Sequence, residues 1–129
     1  MAATDLREFE DRLNGRECTQ LIRDVVESLR KAAEQAGDVE WSAHSTPGGG
    51  WGLIGRRSGR IFCRFDPKPQ AGHVCVSIPS ADDTKLNAAG AVHKRKNAPS
   101  WVDIRDTRGA RLLEPLIAEA SAAASHVVS

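Results

Sequence analysis

Two of the three cysteines, Cys63 and Cys75, stand twelve residues apart in SGRIFCRFDPKPQAGHVCVSIP, with Asp66 and His73 between them. Such a set could make a disulfide, a metal centre or a nucleophile beside a base. Both flanking runs alternate in the manner of β-strands, so pairing register decides among these. Pairing Asp66 with His73 around PKPQAG sets Ile61 against Ile78, Cys63 against Val76 and Phe65 against Val74, a wholly apolar face. Opposing Cys63 directly to Cys75 would instead drive His73 and Ser77 into that face. The apolar register therefore puts Cys63 in the core and Cys75 on the other face, badly directed for a disulfide. Cys18 is placed on a helix, and the four histidines are scattered with no close-spaced ligand pair, so no metal and no cofactor are expected. The thiols read as small hydrophobes.

Other catalytic patterns are equally thin. There is no Gly-x-Ser-x-Gly, and no cysteine carries a motif around it. His73 with Asp66 is the nearest approach to an acid/base pair, and a hairpin-end ion pair explains it more simply. Asp82 and Asp83 read as charges at a helix N-terminus. Gly48 to Gly50 precede neither a Lys-Ser or Lys-Thr pair nor a helical pattern, which removes a phosphate loop. No catalytic residue is assigned, and an enzyme using His73 or His44 is the last of three readings.

The informative constellation is the second face of the sheet, expected to hold Phe62, Arg64, Cys75 and Ser77 with Trp101, Asp103 and Arg105. Aromatic rings offer stacking platforms, and arginine offers phosphate and cation–π contacts. Arg56, Arg57, Arg60, Lys94, Arg95 and Lys96 would frame this face from two loops. Charge is unevenly spread: residues 1–40 hold ten acids and six bases, whereas residues 41–111 hold five acids and twelve bases. A basic centre suits an anionic partner, although solvated charges opposite acidic helices account for it equally well. The first reading is a non-enzymatic binding module for an anionic or planar partner, with nucleic acid leading. The second is a small-molecule sequestering or protein-interaction domain whose pocket is lined by Trp41, Trp51 and Trp101. Against both stands a second mini-core, with Trp41 and Trp101 buried beneath the Ser80–Pro99 segment.

The elements that must position these groups follow from periodicity. Leu6, Phe9 and Leu13 behind Thr4 predict a short helix ending at Asn14 and Gly15. Leu21, Ile22, Val25, Val26, Leu29 and Ala33 predict a longer helix from about Glu17 to Gly37. VEWSAHS and WGLIGRR predict a hairpin. Ser80 with Asp83 suggests a capped helix over about Ala81 to Ala88, and HKRKNAP a basic loop before the strand WVDIRD. A final helix starting near Ala110 or Arg111 keeps Pro115 in its first turn and sets Leu112, Leu113, Leu116, Ile117 and Ala120 on one side. The tail after residue 123 is expected to fray. With 129 residues, 40% hydrophobic and 27% charged, the chain fits one α+β domain: an antiparallel sheet of four to five strands with helices on one face. No apolar run reaches the roughly 20 residues of a membrane span, and an acidic N-terminus is unlike a signal peptide. A cytoplasmic protein with reduced thiols is expected.

GRIFCRFDPKP, HVCVSIP, and SWVDIRD leading into ARLLEPLIAEAS together resemble the YjbR/MmcQ-like small proteins and a related uncharacterised domain family labelled as predicted transport proteins. The resemblance spans about residues 17–123 and implies a CyaY-like fold. It transfers no catalytic residue; a DNA-binding role suggested for some members adds to the nucleic-acid expectation only by fold analogy.

Overall fold

The computed structural model describes residues 6–45, 50–94 and 99–124. The longest apolar stripe in the first third of the chain becomes helix α2 (Gln20–Glu34), after a short α1 (Leu6–Leu13). The Thr19 hydroxyl accepts the Ile22 N–H at 3.3 Å and fixes the start of α2, leaving Cys18 just ahead of the helix rather than on it. Four strands follow, β1 (Glu40–Ser45), β2 (Trp51–Arg57), β3 (Arg60–Lys68) and β4 (His73–Ser77). Then come α3 (Asp83–Ala89), β5 (Ala91–His93), β6 (Trp101–Ile104) and α4 (Thr107–Ala124). The strands form one antiparallel sheet in the order β1-β2-β3-β4-β6-β5. The α+β class is as expected, with six strands rather than four to five. The sequence predicts no strand over Ala91–His93, of which only His93 falls in the expected basic loop, because three residues at a polar edge carry no usable period. Among the described residues no helix is long and apolar enough to cross a membrane.

All four helices contribute to one core with Leu53, Cys63, Phe65, Val74, Val76, Val102 and Ile104 of the sheet. The Ser121 hydroxyl ties the layers together: it donates to the Ala33 carbonyl at 2.7 Å and accepts from Arg57 at 3.1 Å.

The structure departs from the expected hairpin in several details. The β3–β4 register is two residues away from the predicted one, with Phe65 opposite Val76 and Lys68 opposite His73. The Lys68 carbonyl accepts from Ala71 and Gly72, and Gly72 has φ 77°, so a four-residue turn replaces the six-residue loop. A shift of two preserves every face, so Cys63 is buried and Cys75 lies opposite to it as expected. A β-bulge follows: Gly55 pairs with Cys63 but Arg56 pairs with Ile61, leaving an extra residue on β3. Phe62 is thereby packed into the core, and Ile61, expected inside, is 42% exposed.

The helix starts also move. Asp82, not Ser80, caps α3 by accepting the Thr84 N–H at 2.8 Å. Asp106 accepts the Gly109 N–H at 2.7 Å and starts α4 at Thr107, which puts Pro115 in the helix interior. Pro115 forfeits one helical hydrogen bond. Burial of Leu113, Ile117, Ala120 and Ala124 against the core carries the helix through it. Leu112 is exposed and Leu116 only partly buried, so the apolar stripe is narrower than the sequence suggested. Thr4 and the tail beyond Ala124 lie outside the described residues.

Candidate functional site

Because all four helices serve the core face, the other face is built from the alternate residues of each strand. Register sets them in rungs. One rung runs Ser42, Ile54, Arg64, Ser77, Trp101, His93; the next runs His44, Gly52, Asp66, Cys75, Asp103, Ala91. This second rung carries His44, Asp66, Cys75 and Asp103.

At its β1 end, His44 Nε2 lies 2.9 Å from Asp66 Oδ1 although β2 runs between them. Gly52 makes that reach possible. A Cβ there would collide with the Asp66 carboxylate and with the Phe65 carbonyl, and would stand 2.8 Å from His44 Nε2. Arg64 NH2 is 3.5 Å from the same histidine nitrogen.

At the β6 end, Asp103 is the centre. Cys75 Sγ donates to its Oδ1 at 3.2 Å, His93 Nε2 meets its Oδ2 at 2.8 Å, and His73 Nε2 lies 3.4 Å from Oδ1. Arg105 NH2 stands 3.8 Å away and its NH1 reaches the Ala71 carbonyl. Cys75 Sγ is 3.5 Å from His73 Nε2. His73 and Asp103 are buried and Cys75 half-buried. Burial, reinforced by the hydrogen bond and charge of Asp103, pushes the Cys75 thiol up to about 12. Burial alone pushes Cys63 up as well. For Asp103 burial acts upward, but hydrogen bonds from His93 and Cys75 and the charges of His73 and His93 outweigh it and hold the carboxyl below its usual range.

Between the two clusters, Arg64 lies over Trp101 with its guanidinium carbon 5.2 Å from the ring centroid. Its buried Nε has no hydrogen-bond partner, and no carboxylate forms an ion pair with it among the described residues. Comparison with known proteins gave no match to any family model, curated protein or solved structure.

Of the predicted binding residues, Arg64, Trp101 and Arg105 lie on this face, and Phe62 does not, since the bulge buries it. Arg56 reaches Ser42 Oγ at 2.7 Å near the β1 edge, while Arg57 turns to the helix layer. Arg60 is exposed beside the Ser58–Gly59 turn, and Lys94 pairs with Asp83 at 3.6 Å. Arg95 and Lys96 lie outside the described residues. The β2–β3 turn and the β5–β6 connection leave the same end of the sheet, separated by β4. The tryptophans do not converge. Trp51 packs on Phe9 at 5.5 Å, Trp41 on Phe65 at 5.7 Å, both on the core side, and Trp101 stands alone on the open face. The cavity beside Trp51 holds about 90 Å³, far below the roughly 300 Å³ of an ordinary ligand pocket. A larger groove of about 480 Å³ between α1 and α2 is lined by mixed charges, among them the Arg30–Glu10 and Lys31–Glu27 pairs, and holds no group suited to chemistry.

The expected pair of His73 with Asp66 does not form: His73 sits with Asp103 and Asp66 with His44. The spacing His73-x-Cys75 was the available signal, since residues two apart on a strand share a face. Nothing in the spacing announced Asp103 or His93, which arrive from strands 28 and 18 residues further on.

Proposed function

We propose that this chain is a non-enzymatic binding module whose open sheet face takes a planar, anionic ligand through Arg64 and Trp101. The observation that carries this reading is the state of Arg64, a half-buried guanidinium that lies over an aromatic ring and has no carboxylate partner among the described residues. A guanidinium without a carboxylate partner suits an oxyanion on its accessible nitrogens, and the ring attached to that oxyanion would extend the stack. The trend of the remaining charges favours a compact ligand over a nucleic-acid backbone. Arg56, Arg57, Arg105 and Lys94 are each engaged with protein groups, and Asp66 and Asp103 interrupt the face. The antiparallel sheet closed by α4 supports kinship with the YjbR/MmcQ-like group as part of the same proposal.

The test is a tryptophan fluorescence titration with nucleoside monophosphates, aromatic carboxylates and short single-stranded and duplex oligonucleotides at low and physiological salt. The reading expects saturable quenching by one of the small planar anions that is lost in Arg64→Ala. Oligonucleotide binding that weakens steeply with salt would instead favour a phosphate-backbone partner. No quenching by any of them removes the reading.

A further inference from the structure

We propose that His73, Cys75 and Asp103 form a three-residue site for a divalent transition-metal ion such as zinc, with the fourth corner left for water or an exogenous ligand on the open face. The sequence supplies the first two donors from one strand, since His73 and Cys75 share the polar face of β4. Antiparallel pairing supplies the third, because Asp103 is the β6 partner of Cys75. The donor atoms all lie within 4.8 Å of one another. Their separations are 3.5 Å for sulfur to nitrogen, 3.4 Å for nitrogen to oxygen and 3.2 Å for sulfur to oxygen. Bonds of about 2.0–2.3 Å from a tetrahedral zinc to such atoms set its ligands about 3.3–3.6 Å apart, so the three already stand near three corners of that figure.

The donor set is the right kind as well. Imidazole, thiolate and a single carboxylate suit a borderline-soft ion, and magnesium or calcium would want oxygen alone. The second oxygen of Asp103 is held by His93 at 2.8 Å, with Arg105 at 3.8 Å, which leaves Oδ1 turned to Cys75 and His73. A carboxylate oriented by an outer hydrogen bond is a recurring feature of metal sites. Both strands lie inside the sheet, so the frame is rigid. In the metal-free protein the same atoms form a hydrogen-bonded triad in which the thiol proton occupies the place of the ion. Binding replaces it: the Cys75 S–H bond breaks, one proton goes to solvent, and the sulfur electron pair bonds the metal. Thiolate and carboxylate then neutralise the two positive charges. This site does not depend on the Arg64–Trp101 reading and would stand if no anion bound there.

The test uses the full chain, reduced, stripped with a chelator and titrated with cobalt(II) alone. The expected result is one ion per chain, with a near-ultraviolet thiolate-to-cobalt charge-transfer band and intense tetrahedral visible bands, and release of one proton in weak buffer. Cys75→Ser, which barely changes shape, should abolish the charge-transfer band. His73→Ala and His93→Ala should each weaken binding at least about tenfold. Cys63→Ala and His44→Ala should leave the spectrum unchanged. No charge-transfer band with cobalt at about millimolar concentration, or a band that survives Cys75→Ser, would overturn the proposal.

Discussion

The two faces of this sheet are made by the same strands and obey opposite rules. On the core face, Phe65, Val74, Val76, Val102 and Ile104 are interchangeable in kind, and what matters is the volume they fill. On the open face, Arg64, Asp66, Cys75 and Asp103 are each tied to named partners, and exchanging any two would break a hydrogen bond. A two-residue shift of register leaves the first face apolar but re-sorts every pair on the second. The core face therefore fixes the fold, and the other face carries the specific pairs on which the proposed binding rests.

The sharpest break of this comparison comes from the core. Leu113→Ala or Ile117→Ala should cost about 2–5 kcal/mol in denaturant unfolding, because both are fully buried. Leu116→Ala, a residue that looks equivalent in sequence, should lose roughly 1 kcal/mol, since it is only partly buried. Equal losses at Leu113 and Leu116 would mean that α4 is rotated. On the open face, Gly52→Ala should cost about 1–3 kcal/mol through overlap with the Phe65 carbonyl, and should also separate His44 from Asp66. A neutral result with unchanged His44 ring chemical shifts would contradict the close approach.

Asp103→Asn should cost roughly 1–3 kcal/mol, because a buried acceptor of several hydrogen bonds is weakened. Its pH dependence is a sharper test. With its carboxyl held below the usual range in the folded chain, Asp103 contributes stability that is present above its unfolded value near 3.8 and lost as pH falls through the lower folded value. Asp103→Asn should flatten that acid limb, and an unaltered limb would show that Asp103 is not coupled to its neighbours. The smallest effect belongs to the thiols. Metal-free protein should label slowly at Cys75 near neutral pH, faster as pH climbs toward about 12, and more slowly still at the fully buried Cys63. Equal and fast labelling of both would contradict their separation onto two faces.

Most of the fold was legible because it rests on periodicity. The α2 stripe, the β1–β2 hairpin and the alternation through β3, β4 and β6 each announce their buried side. What escaped was local geometry. The bulge beside Gly55 leaves no mark on the pattern of RIFCRF, and it inverted the places of Ile61 and Phe62. The four-residue turn after Lys68 was hidden by Pro67, which reads as a loop residue yet lies in β3. The site was legible only in part. Arg64 and Trp101 follow from alternation, but the cluster on Asp103 needs the order β4-β6-β5, which no spacing along the chain encodes.

The central claim is that the open face binds through Arg64 and Trp101. The direct measurement is an amide NMR titration with the small planar anions, read residue by residue in the wild type and in Arg64→Ala. Perturbations concentrated on Arg64, Ser77 and Trp101, saturating with ligand and absent from the variant, are the predicted result. Perturbations that gather on the α1–α2 groove, or that persist in Arg64→Ala, would contradict it.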